Sequence, residues 1–221
     1  MKSGRIVVIG AGGTLAMTRQ GDGLAPARSA CELVEGIRAR VAGVELVAVD
    51  AFSLPSANLG FGDVAHLARL AEEAAAGGAA GVVVTQGTDT IEETAFALEL
   101  ICKADIPIVV TGGMRGAAEP GADGPANLIG AIIAANSAPA GIGVLVVMND
   151  EVHAARYVSK IHTTALDAFC SGDAGILGRI EEGVLRLAPV ALPKLATGLD
   201  RDAAQWSQIA LLRLGMDDEI G

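Results

Sequence analysis

A hydroxyl, a carboxylate and an amine, on three separated stretches, hold the chemistry of this 221-residue chain. Thr14 follows the glycine turn of Ile9-Gly10-Ala11-Gly12-Gly13-Thr14. Thr88 and Asp89 stand together in Thr85-Gln86-Gly87-Thr88-Asp89-Thr90-Ile91-Glu92-Glu93-Thr94. Lys160 lies in Val158-Ser159-Lys160-Ile161-His162-Thr163-Thr164. A threonine hydroxyl becomes a nucleophile when a base takes its proton. A lysine drawn into a desolvated site loses its own proton more readily and can be that base. A Thr–Lys pair oriented by an aspartate would therefore activate a hydroxyl without histidine. His66, His153 and His162 show no triad spacing and read as surface residues or supports.

Each stretch also has a purely structural reading. Thr14 could cap the segment that follows it. Asp89 could be the N-cap of a helix with Glu92 as its capping-box partner, or Thr90 could cap with Glu93. Capping and function are compatible, because a helix N-terminus presents free N–H groups to a carboxylate ligand or an oxyanion. An acidic side chain there would instead receive an ammonium group. The turn at Gly10 invites a dinucleotide-binding reading, with Asp50 as a ribose partner. The spacing fails, since the third glycine of that fingerprint would fall on Leu15. The glycines read better as a sharp turn that leaves Thr14 facing a small ligand.

The elements that must position these groups alternate. Short β-branched runs at 5–9, 44–49, 82–84, 106–110 and 144–148 read as strands. Helical spacing covers 29–40, the stretch after Asp63 (a candidate cap) up to Gly77-Gly78, 91–102, and a helix opening near Pro125. This is an α/β fold with a mostly parallel sheet and helices on both faces. Such sheets bind ligands at the carboxyl ends of their strands. The loops there are 10–14, 53–58, 86–89, 112–115 and 149–150. Glu181-Glu182-Gly183 reads as a hairpin turn. Residues 1–190 form the catalytic α/β domain in this reading and 191–206 a linker. Residues 207–221 are then the first strand of an incomplete smaller second domain.

Composition narrows the function. A formal net charge of −10 with no basic stripe argues against nucleic acid. No apolar run of about 20 residues exists to cross a membrane. Cys31, Cys102 and Cys170 are odd in number and widely spaced. They read as reduced, mostly buried thiols, and no Cys-x-x-Cys pair or His cluster supports a metal. The first residues carry no apolar signal region, and a cytoplasmic enzyme is the expectation.

Taken together, the motifs resemble the bacterial-type L-asparaginases and asparaginase-glutaminases. The resemblance rests on Gly12-Gly13-Thr14-Leu15-Ala16, Gln86-Gly87-Thr88-Asp89-Thr90, Gly113-Met114-Arg115 and Ala122-Asp123-Gly124-Pro125-Ala126-Asn127-Leu128, in that order. It continues through the run 143–150 to Lys160, Thr163-Thr164 and Phe169, and begins again near 207. It implies hydrolysis of asparagine to aspartate and ammonia, no metal or organic cofactor, and a homo-oligomer, dimer or tetramer. It implies Thr14 as the nucleophile of an acyl-enzyme and Thr88 with Lys160 as a second hydroxyl–amine pair. Asp89 would hold the substrate α-ammonium, Ser56 the α-carboxylate, and N–H groups near Thr88 and Gly113 the oxyanion. Two features depart from the family. The loop 17–24 lacks the tyrosine often found there, and the chain is about a hundred residues shorter than its members. Two alternatives follow: the same fold acting on glutamine or another amide, and a non-catalytic fragment that only binds aspartate.

Overall fold

The computed structural model describes residues 4–13, 17–20, 23–26 and 28–189. Thr14, the linker 191–206 and the strand expected at 207–221 lie outside the described residues.

An eight-stranded sheet organises the chain. Its first strands in sequence are β1 (Arg5–Gly10), β4 (Glu45–Asp50), β5 (Gly81–Thr85), β6 (Ile108–Thr111) and β7 (Val144–Met148). These five run parallel, in the spatial order β4, β1, β5, β6, β7. Between β1 and β4 in sequence comes a separate hairpin of β2 (Met17–Gln20) and β3 (Gly23–Pro26). The helices are α1 (Ala30–Ile37), α2 (Phe61–Ala76), α3 (Ile91–Ile101) and α4 (Gly124–Ser137).

Both faces of the sheet are covered, which is why its strands read as unbroken Val and Ile. Alternate side chains go to opposite faces. Val82 and Val84 join a core with Leu67 and Ala71 of α2 and Leu98 of α3. Val83 joins Leu33 and Val34 of α1 and Ile132 of α4 on the other side. Each fully buried aliphatic side chain contributes about 1.5–3 kcal/mol, and all three valines are 0% exposed.

The strand series does not end at Met148. The chain turns at once into β8 (Glu151–Ala154), antiparallel to β7. Asn149 and Asp150, at φ 50° and 62°, form the left-handed pair that a two-residue hairpin demands. Beyond β8, β11 (Gly178–Glu181) and β12 (Val184–Leu187) extend the edge, joined through Glu182-Gly183 as expected. Two-residue strands β9 (Ser159–Lys160) and β10 (Phe169–Cys170) pair with each other.

Two local expectations need correction. Asp63 is not the cap of α2: Gly60 is, and the Asp63 carboxylate accepts the Gly60 N–H at 2.9 Å from the third helical position. The cysteines are free, but only Cys102 is buried; Cys31 is exposed and Cys170 half-buried. Of the three histidines, read as surface residues or supports, His153 is 0% exposed, His162 is exposed and His66 half-buried.

Topology decides where a ligand can sit. From β1 the chain moves outward to β4, then crosses back to β5 on the other side of β1. The loops after β1 and β5 therefore part in opposite directions, opening a crevice at the carboxyl ends of these two strands.

Candidate active site

The tightest cluster of candidate residues forms around the turn that follows β5. Residues Thr88–Thr90 make one 3-10 turn before α3 begins. Neither expected capping box exists. Thr90 stands at the N-cap of α3 but makes no capping bond. Its hydroxyl donates instead to the Ser56 carbonyl at 2.9 Å. The Asp89 N–H donates to Ser56 Oγ at 3.2 Å. Gln86, fully buried, reaches Thr90 Oγ1 through Nε2 at 3.4 Å. The polar residues that would cap a helix here are spent on docking the loop of Ser56 against the turn of Thr88. Ser56 itself is 4% exposed, and a methyl at Gly87 would lie 2.5 Å from its Oγ.

Lys160 arrives from more than seventy residues downstream. Its Nζ lies 2.9 Å from Thr88 Oγ1 and 2.8 Å from Asp89 Oδ1. The backbone of the same residue is held too, its N–H donating to the Glu92 carboxylate on α3. Glu92, read from the sequence as a capping partner, thus fixes the lysine. The Lys160 side chain is 13% exposed and that of Asp89 69%. An ion pair so open at one end contributes about 0–1 kcal/mol, so its consequence is orientation rather than stability. The arrangement can pass a proton between the Thr88 hydroxyl and the lysine amine. The exposed Asp89 carboxylate still has room for a second cation.

The loop after β6 closes on the same turn. A methyl at Gly112 would lie 3.2 Å from Thr88 Cγ2. Asn127 on α4, 3% exposed, donates through Nδ2 to the Gly112 carbonyl at 3.0 Å and accepts the Asn149 N–H at 2.9 Å. Asp123 accepts the N–H groups of Met114 and Arg115, each at 2.9 Å. Gly113 is buried between these anchored residues. The sequence marked Asp123 and Asn127 as motif positions without a role; they shape this loop.

Thr14 lies outside the described residues, and Gly13 before it lies within them. Gly13 has φ 90°, and a methyl on it would lie 2.0 Å from the Gly87 nitrogen. Gly12, at φ 89°, is pressed in the same way against the Leu54 backbone. Only glycine tolerates both the sign of φ and such contact. The residues that precede Thr14 and Thr88 in the sequence therefore touch. Asp50, the candidate ribose partner, has other work: its Oδ1 accepts the Ala30 N–H at 2.7 Å, at the start of α1.

A cleft of about 460 Å³ borders the cluster, lined by Asp89, Glu92, Lys160, Ile161, His162 and Thr163. Among the described residues no group of three His, Cys, Asp or Glu could hold a metal ion. Among the same residues no helix is long and apolar enough to cross a membrane.

Comparison with known proteins identifies the family. The family described as Asparaginase, N-terminal matches residues 5–190. A "Probable L-asparaginase" of Deinococcus radiodurans is 42% identical over 178 residues, 80% of this chain and 53% of the relative. A "Glutaminase-asparaginase" of Pseudomonas fluorescens biotype A is 38% identical over 197 residues, 82% of this chain and 52% of the relative. The crystal structure of a "Probable Cytoplasmic L-asparaginase from Campylobacter jejuni" superposes with a TM-score of 0.77 at 33% identity, over 86% of this chain and 58% of the other. The chain spans about half the length of the curated relatives it matches. With the family's N-terminal signature over residues 5–190, and a sheet whose crevice gathers Thr88, Asp89, Lys160 and Ser56, the chain belongs to the asparaginase family.

Proposed function

We propose that this chain is the catalytic part of an amidohydrolase that converts L-asparagine to L-aspartate and ammonia. The observation that carries the reading is the Lys160 amine shared between Thr88 Oγ1 and Asp89 Oδ1, with Gly13 against Gly87. Thr14 Oγ attacks the side-chain amide carbon, and its proton leaves with the amine as ammonia. The C–N bond breaks and a threonine ester remains. Lys160 acts as the base, taking a proton through the Thr88 hydroxyl from the water that attacks this ester. Cleavage of the ester then frees aspartate, and the proton held by Lys160 passes to the departing Thr14 oxygen, which restores both groups. Asp89 receives the substrate ammonium, Ser56 its carboxylate, and N–H groups near Thr88 and Gly113 the oxyanion. No metal or organic cofactor enters.

Glutamine is the second reading, favoured by the name of the Pseudomonas relative, which joins both activities. Glutamine is longer by one methylene, a difference worth about 1–3 kcal/mol in a pocket. The proposed setting is a cytoplasmic homo-oligomer, a dimer or tetramer. Ammonia release from asparagine and from glutamine at matched concentrations tests both readings. Asparagine should be favoured. Equal turnover would assign a broader amidase, and aspartate binding without ammonia release would leave only a binding fragment.

A further inference from the structure

β9, which carries Lys160, and its partner β10 are too short to stand alone. They lie on the α3 side of the sheet, where Val158, Ala168 and Phe169 enter the core. Lys160 pairs with Phe169 across the two strands. Phe169, 4% exposed, therefore sets how deep the lysine backbone sits. Apolar burial is non-directional. It holds the ribbon down without fixing how it slides or rotates.

Two polar contacts supply direction. Glu92 takes the Lys160 N–H from the α3 side. At the opposite end, Ser171 follows β10 directly, and its Oγ lies 2.8 Å from Nδ1 of His153. His153 sits on β8, which is paired along its length with β7 of the main sheet. Ser171 and His153 are 5% and 0% exposed. The hydrogen bond thus joins the lysine ribbon to a rigid strand.

Stability alone gives no reason for a histidine here. Its Nε2 is buried without a hydrogen-bond partner, and the nearest acid, Glu151, is 3.7 Å away. A buried polar atom left unpaired costs free energy that an aliphatic side chain would not. We propose that His153 is a positioning residue for Lys160: through Ser171 it holds β10, and β10 holds the strand that presents the amine to Thr88 and Asp89. The inference rests on the amidohydrolase reading only for its kinetic readout.

The ring must also stay neutral to avoid a buried charge. Burial holds its pKa below the usual histidine value. Glu151 on the same strand opposes that shift, and Arg179 on β11, paired with Glu151 at 2.7 Å, supports it.

Four variants of the full chain test the role: His153→Leu, His153→Asn, Ser171→Ala and the His153→Leu/Ser171→Ala double. Asparagine restores a polar amide atom near the position of Nδ1; leucine fills the space without one. The expected result for His153→Leu is an unchanged or higher Tm. Amide exchange at Lys160 and Ile161 should rise about tenfold, and kcat should fall about tenfold with KM within about twofold. Ser171→Ala should do the same, the double variant no worse than either single, and His153→Asn should restore both readouts. A merely structural histidine would lower Tm in proportion to any loss of rate, and that result overturns the proposal. So would unchanged exchange and kcat in His153→Leu, losses that add in the double variant, or no rescue by asparagine. Should His153→Leu not fold, Ser171→Ala, which removes one hydroxyl, decides by the same readouts. Should the wild-type chain release no ammonia, the amidohydrolase reading falls, and the exchange measurements still decide the role of His153.

Discussion

Lys160 has two partners that ask different things of it. The Thr88 hydroxyl at 2.9 Å can exchange a proton with the amine, whereas the Asp89 carboxylate at 2.8 Å orients it as an ion-pair partner. A bound substrate ammonium at Asp89 would compete for that carboxylate and release the lysine toward Thr88. Replacing Lys160 by methionine keeps the length of the side chain and removes the base. Turnover should fall by about 10²–10⁴-fold. Denaturant unfolding should shift by no more than about 1 kcal/mol, because the Asp89 side chain is 69% exposed. A large stability loss would make the lysine a structural residue instead. Asp89→Asn should raise KM more than it lowers kcat, as measured by steady-state ammonia release. At this scale the sequence was informative about residue types. Thr88 and Asp89 stood out because α/β loops expose side chains to ligands, and Lys160 because of the stretch 158–164 around it. What it could not convey was that Glu92 and Thr90, candidates for capping, would be diverted to Lys160 and Ser56.

Elements position these groups through a few buried polar side chains. Asn127 ties α4 to the β6 loop and to the β7–β8 turn. Asn127, itself 3% exposed, faces the buried Gly112 carbonyl, and Asn127→Leu would strand that carbonyl and remove the acceptor of the Asn149 N–H. A loss of about 1–3 kcal/mol is expected in chemical unfolding, together with a lower kcat as the Gly113 loop drifts. The glycine turn after β1 is equally unforgiving. Gly13→Ala meets the Gly87 nitrogen at 2.0 Å with φ at 90°. It should destabilise by more than about 1 kcal/mol and abolish turnover, whereas Gly36→Ala, with open space around it, should do neither. The parallel strands were legible as apolar runs, since burial on both faces demands them. The antiparallel edge was not. Glu151–Ala154 is a four-residue strand with a polar residue at each odd place, and its assignment depends on the neighbour it pairs with.

Across the whole molecule, one ion pair and one histidine connect distant segments. Arg156 reaches Glu99 of α3 at 2.7 Å, and the same carboxylate accepts the Val144 N–H of β7. Glu99 is 2% exposed as a side chain and Arg156 14%. Truncating Arg156 to alanine leaves a buried carboxylate without this partner, so about 3–5 kcal/mol of stability should be lost in urea unfolding. His153 couples folding to pH. Its folded pKa lies below the unfolded value, so the unfolded chain binds the proton more readily. Its contribution is complete above the unfolded pKa, and it is lost as pH falls from there through the folded one. Urea midpoints should therefore drop below about pH 6.5, and His153→Leu should flatten that dependence. By itself the sequence determined the fold class, the loops at the strand ends and the residue types within them, because burial, strand period and loop position act locally along the chain. Only the tertiary structure decided which polar groups are partners. Lys160 meets Thr88 and Asp89, and Ser171 meets His153, because strands far apart in sequence are brought together by a sheet. A hydrogen bond depends on a few tenths of an ångström of three-dimensional placement, and no spacing along a chain encodes that directly.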